Sequence, residues 1–276
     1  MKIRTRSLPP GWYPDTASET ELAIKRMISS FAQKYDNAIA GIVPHAGWEF
    51  SGRIALSVLT ALASDIKTVV VVGGHLHKSD GILSAFEEGY ETPFGIIESD
   101  YDLLEYLKEN LSVKEDRYAD NTVEIQIPFI KYLFPKVKFL GCRAAPSKDA
   151  VSLGRVIADA SEKMDKKIAV IGSTDLTHYG PNYGFMPRGT GDEAVKWVLD
   201  VNDKGFIDYL LNFKAEEAIE HANRNKSACS AGGAAAALSY ALAKGSTQSV
   251  LLEHYTSNTV YPSGSFVGYA GIIYLY

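Results

Sequence analysis

The run Thr68-Val69-Val70-Val71-Val72 constrains this chain more than any other segment. A strand with one wet face alternates apolar and polar side chains, and four consecutive valines do not alternate. Both faces of that strand should be buried, which predicts a central sheet covered by helices. The surrounding pattern agrees. Strand-like stretches at 38–43, 137–141 and 167–172 alternate with helix-like stretches at 53–63, 101–110 and 150–163. Further helices are expected over 193–211, 215–222 and 232–244, before closing strands at 249–255 and 266–274. This order predicts an α/β fold: a three-layer sandwich with a central mixed sheet and helices on both faces, in one domain over 1–276.

Local signals refine that outline. Ser18 and Glu21 form a capping-box pattern before Ile24, Met27, Ile28 and Phe31, which recur at helical spacing. Residues 80–97 read as a hairpin carrying Ile82-Leu83 and Gly95-Ile96-Ile97. Asn121 and Glu124 again give a cap-like pattern before Val123, Ile127 and Ile130, with Pro128 set to disturb the helix.

Composition excludes several functions. The 276 residues are 46% hydrophobic and carry a net charge of -5, which argues against a nucleic-acid partner. The small-apolar stretch 231–243 is too short for a membrane span and contains Ser239 and Tyr240. The basic start Met1-Lys2-Ile3-Arg4 leads into no apolar segment, so the expected location is the cytoplasm. Cys142 ends a strand run and reads as a buried, inert thiol. A disulfide to Cys229 would need an oxidising compartment that nothing else suggests.

Chemistry is concentrated where small residues follow strand runs. Pro44-His45-Ala46-Gly47 frees an imidazole at a strand end, or leaves a histidine bonded to loop backbone. Gly73-Gly74-His75-Leu76-His77 offers two histidines that point to opposite sides of an extended segment, so one ion would not take both. His75 is nearer the strand and is the preferred ligand; His77 is read as solvated or standing behind it. Ala228-Cys229-Ser230 adds a thiol. Imidazole and thiolate suit borderline-soft metals.

Asp175 and His178 share one face if their segment is a helical turn. Asp175 equally suits an N-cap, a job that Ser173 or Thr174 can share. A Ser173-His178-Asp175 hydrolase triad is disfavoured, because residues so close in sequence seldom reach its geometry. Gly189-Thr190-Gly191-Asp192-Glu193-Ala194 spells a dinucleotide fingerprint, but no strand precedes it and two carboxylates would face the pyrophosphate. His221 and His254 are assigned structural roles.

Several segments together resemble one family, nearly end to end. Gly11-Trp12-Tyr13-Pro14, Pro44-His45-Ala46-Gly47-Trp48-Glu49-Phe50-Ser51-Gly52, Val123-Glu124-Ile125-Gln126-Ile127-Pro128-Phe129, Ser173-Thr174-Asp175-Leu176-Thr177-His178-Tyr179-Gly180 and the Cys229 region are similar to segments of the Memo-like proteins. The prokaryotic members include the Memo component of the AmmeMemoRadiSam system. That family is related in fold to class III extradiol dioxygenases, which hold iron with two histidines and a carboxylate.

The resemblance implies His45, His75 and Cys229 as metal ligands, with Asp175 and His178 as catalytic neighbours. It implies iron(II) or copper as cofactor, with zinc as an alternative. Asn121 stands where the family commonly has a histidine. A thiolate among the ligands makes a bound ion a better reductant and a weaker Lewis acid. The expected function is therefore a mononuclear, dioxygenase-like oxidoreductase acting on a small aromatic or polar molecule. The alternatives are a non-enzymatic protein that binds a metal or peptide in its cleft, and a zinc hydrolase. A homo-oligomer is left open. Trp12, Tyr13, Trp48 and Tyr179 are expected either to wall the cleft or to pack in the core.

Overall fold

The computed structural model describes residues 1–32 and 34–276. Its strands are β1 (Ile3–Arg4), β2 (Ala38–Val43), β3 (Thr68–Gly73), β4 (Ile82–Ser84), β5 (Gly89–Thr92) and β6 (Gly95–Glu98). They continue as β7 (Val113–Glu115), β8 (Lys138–Ala144), β9 (Ile168–Ser173), β10 (His178–Tyr179), β11 (Gln248–Thr256) and β12 (Phe266–Leu275). Among the described residues, nine strands form the main sheet in the order β10-β12-β2-β9-β3-β8-β4-β7, with β11 also paired to β12. The centre, β2-β9-β3-β8, is parallel. Its flanks turn antiparallel, β12 against β2 and β4 against β8. The sheet is mixed.

The valine run behaves as its composition requires. Val70 and Val72 enter one core, under helices Tyr101–Asn110, Lys148–Lys163, Lys204–Leu211, Ala215–Asn225 and Ala231–Ala243. Val69 and Val71 enter the other, under helices Ala17–Ile28, Arg53–Leu59 and Ile127–Leu133. Helices thus cover both faces, completing the three layers.

Local expectations needed correction in four places. The first helix is capped by Thr16 and Glu19 rather than Ser18 and Glu21: the Glu19 N–H donates to Thr16 Oγ1 at 3.3 Å. Asp120, one residue earlier than expected, caps the short helix Asn121–Glu124, and a new helix then starts at Ile127. Pro128 fits that second helix because a first-turn residue needs no N–H partner. Residues 80–97 are not one hairpin. Ile82–Ser84 joins the main sheet, while β5 pairs with β6 on one side and β1 on the other in a separate three-stranded sheet. The helix expected over 193–211 is interrupted by a π-helical turn, Val198–Asp203.

Register explains why the chemistry gathers at one edge. Val43 of β2 lies opposite Ser173 of β9, and Gly172 lies opposite Val72 of β3. The three strands therefore end level. His45, Asp175 and His75 each lie two residues beyond those level ends, with Asp175 following the middle strand. Open α/β sheets present their binding crevices at this carboxyl edge.

Candidate metal centre

His45 forms the floor of the centre and is 1% exposed. Its backbone N–H donates to Asp175 Oδ1 at 2.7 Å, while its Nδ1 lies 3.3 Å from Ser173 Oγ. Gln126 donates to the Pro44 carbonyl at 2.7 Å and reaches the same serine hydroxyl at 3.4 Å. With Nδ1 so engaged, the free ring atom is Nε2, and Cys229 Sγ stands 3.2 Å from it. Partners behind a ligand fix its ring orientation and tautomer in this way.

Cys229 arrives from the other half of the chain. It precedes helix Ala231–Ala243, which packs tightly on the strands because Gly233 has no side chain; a Cβ there would collide with the Val72 carbonyl. The Cys229 N–H donates to the Asp175 carbonyl at 3.1 Å, and the Ser230 N–H to Thr174 Oγ1 at 3.0 Å. These two bonds lock the helix start to the loop after β9.

His75 stands at the mouth, with 43% of its side chain exposed, its ring edge-on to His45 at 5.0 Å between centroids. Its Nδ1 lies 3.9 Å from Asp120, which is held in turn by Arg143 at 3.0 Å. His77 turns away: its backbone N–H caps onto Asp80 at 2.6 Å and its side chain is outside the cluster.

The donor atoms of His45, His75 and Cys229 all lie within 4.8 Å of one another. Donors around a tetrahedral ion with bonds of about 2.0–2.3 Å stand roughly 3.3–3.7 Å apart, so small side-chain shifts would close the trio on one ion. The acid–base balance also suits a cation. Burial pushes the His45 imidazolium down, which leaves a neutral ring. Burial, then the Asp175 charge, push the Cys229 thiol well above its ordinary value. The close pair is therefore imidazole and thiol, a poor nucleophile, until a bound cation displaces the thiol proton.

Asp175 does not sit on a helical turn. It lies in the loop before β10, and His178 belongs to that strand, paired with Val267. Asp175 Oδ2 is 3.8 Å from His45 Nε2 and 3.9 Å from His178 Nε2. Burial raises the carboxyl, but the His45 ring, His178 and the His45 N–H outweigh it and hold the group below the usual carboxylate range.

These groups open into a cleft of about 530 Å³. Trp12 lines it, as do Phe50, Tyr183, Tyr261 and Tyr269, aromatics that the sequence reading missed. Tyr13 and Trp48 pack instead in the core, Trp48 stacked on Phe129 at 3.8 Å, and Tyr179 is buried against Phe266 at 5.1 Å. Asn121 also faces the cleft, its amide donating to the His45 carbonyl at 3.1 Å. Gln126 and Ser173 lie inside the family-like segments, but their support of His45 depends on the register of β2 and β9.

The family model described as Memo-like protein matches residues 4–273. The chain belongs to this family. Similar proteins include a MEMO1 family protein of Pyrococcus furiosus, 32% identical with 98% of each chain covered. A second, from Methanosarcina barkeri, is 28% identical over 98% of this chain and 99% of its own. Among solved structures, an uncharacterised protein of Escherichia coli K12 matches with a TM-score of 0.48 and 15% identity, covering 85% of this chain and 98% of that one. This Memo-like protein thus carries a histidine–histidine–cysteine group at the carboxyl edge of its sheet, beside an aromatic-walled cleft. No helix among the described residues is long and apolar enough to cross a membrane.

Proposed function

We propose that this Memo-like protein holds one iron(II) or copper ion on His45, His75 and Cys229 and uses it for redox chemistry on a small molecule in the adjoining cleft. The 3.2 Å approach of Cys229 Sγ to a buried imidazole whose other nitrogen is already engaged carries this reading. When bound, the ion supplies electron transfer and open coordination positions; three protein ligands leave that room. The protein does the rest. Ser173 and Gln126 hold the His45 ring, and Asp175 keeps the loop and the Cys229 backbone in place. His178, stacked on Tyr183 at 4.9 Å and near Asp175, is the group suited to hold or move a proton at the substrate. The aromatic walls orient the substrate and limit water around it. Two free cysteines support a cytoplasmic setting for such a thiolate centre.

The test is anaerobic purification with metal analysis, followed by competition titrations of copper(I) and zinc(II) against Cys229→Ser. Copper(I) affinity should fall much further than zinc(II) affinity, because a hydroxyl is a hard donor and copper(I) a soft ion. Equal losses would remove the thiolate from the proposed redox role. Zinc as the best activating ion would favour a hydrolase, and tight metal binding without turnover would favour a non-enzymatic metal- or peptide-binding role.

A further inference from the structure

Outside the cleft, a second group of buried polar residues touches both segments that build the centre. The π-helical turn Val198–Asp203 joins the helices Asp192–Trp197 and Lys204–Leu211. Consecutive side chains diverge by about 100° on a regular helix, so two neighbours seldom reach one target. Here they do. Asp203 Oδ1 accepts the Thr177 backbone N–H at 3.0 Å and the Thr177 hydroxyl as well. Asn202 Nδ2 donates to the same hydroxyl at 2.8 Å. Both residues are buried, Asp203 completely.

Each hydrogen of the Asn202 amide has a different target. One meets Thr177, which lies between Asp175 and His178 in the chain. The other meets the Asn225 carbonyl at 3.1 Å. From Asn225 the chain passes through Lys226, left-handed at φ 52°, and Ser227, buried against His221 at 2.8 Å, to Cys229. Asp203 is braced from behind by His254 Nε2 at 3.2 Å. Gly268 makes room for it, since any Cβ there would overlap the carboxylate, and its N–H donates to the Thr177 carbonyl at 2.9 Å. None of Asn202, Asp203 or His254 lines the cleft. π-Turns of this kind concentrate at functional sites, where they re-aim side chains.

We infer that Asn202 and Asp203 are positioning residues: the Asn202 amide clamps the Asp175–His178 loop to the segment that delivers Cys229, and Asp203 anchors that clamp. The inference rests on the proposed metal centre for its functional meaning, but the mechanical coupling stands on the hydrogen bonds alone.

The experiment uses the full chain with Asn202→Ser, which cannot span both targets, and Thr177→Val, which removes only one arm. Hydrogen exchange should rise in both 174–179 and 225–230 for Asn202→Ser, while the rest of the protein exchanges as in the parent. Thr177→Val should loosen 174–179 and spare 225–230. Cobalt(II) is the metal probe, read through its thiolate charge-transfer absorption. Asn202→Ser should bind it about tenfold more weakly and with an altered band, the low end of what losing a direct partner of a ligand costs, because Asn202 acts through the Cys229 segment and not on a ligand itself. Loosening of one segment only, or unchanged exchange in both, overturns the clamp. If the parent protein gives no thiolate band with cobalt(II), the metal reading fails, and the paired exchange response alone upholds or overturns the clamp. If Asn202→Ser does not fold, Asn202→Asp, which keeps the shape but loses both donors, replaces it in the same two measurements.

Discussion

At the scale of single residues, the structure separates two histidines that sequence could rank only by distance from a strand. His75 faces His45 and Cys229, whereas His77 is anchored through its backbone to Asp80. His75→Ala should therefore weaken anaerobic zinc or cobalt binding by more than the 10–100-fold typical of losing a supporting partner, and His77→Ala should leave it nearly unchanged. Isothermal titration decides this, and the reverse pattern would transfer the ligand role to His77. In the same titration, Asp175→Asn and His178→Gln should each retain the ion, because neither belongs to the trio. Loss of metal from either would make it a ligand. The segments that carry the trio could be read in the sequence because glycines and strand ends mark them, and the family resemblance then singled out His45, His75 and Cys229 within them. Ser173, Gln126 and the cleft aromatics Tyr261 and Tyr269 could not, since their roles depend on which strands become neighbours.

Elements were legible where one physical cause dominated. The valine run, the strand 38–43 and the alanine-rich helix were expected close to their observed positions because burial alone decides them. The small sheet was not, since β5 and β6 find their third strand at Ile3–Arg4, far away in sequence. Neither were the π-turns Trp48–Gly52, which extends the helix expected from residue 53 towards its start, and Val198–Asp203, whose sequence reads as ordinary helix. Two measurements probe element-level packing. Gly233→Ala forces a Cβ into the Val72 carbonyl where helix Ala231–Ala243 crosses β3, and should cost about 1–3 kcal/mol in urea unfolding. Gly264→Ala meets open space and should stay within about 0.5 kcal/mol of the parent. The second concerns Asp203, whose carboxyl is pushed up by burial against the opposing pull of His254 and Thr177. A raised folded pKa adds stability that is complete below the unfolded value of about 3.9 and is lost as pH rises through the folded value. Asp203→Asn cannot titrate there. The parent's advantage over it should therefore shrink between pH 4 and pH 7, measured by urea unfolding at each pH. A widening gap would mean that the fold holds Asp203 as a carboxylate.

For the whole molecule, the decisive property is how far apart in sequence the three donors lie. His45 and His75 follow central parallel strands, while Cys229 belongs to a helix start from the last quarter of the chain. An unfolded chain does not hold these groups together, so an ion that bridges them binds the folded state preferentially. At a free metal concentration of 100 times Kd, such binding stabilises the fold by about 2.7 kcal/mol. For a protein of this size that corresponds to a rise in Tm of roughly 5 °C. Saturating zinc or cobalt should produce this shift in the parent, and Cys229→Ser or His45→Ala should reduce it to near zero while leaving the metal-free Tm within a few degrees of the parent's. The control matters because His45 is buried: a variant already unfolded without metal would report on packing rather than on binding. His75→Ala avoids that problem, since its ring is half exposed. If the parent gains stability and His75→Ala gains just as much, the ion is held elsewhere and the three-donor centre is wrong.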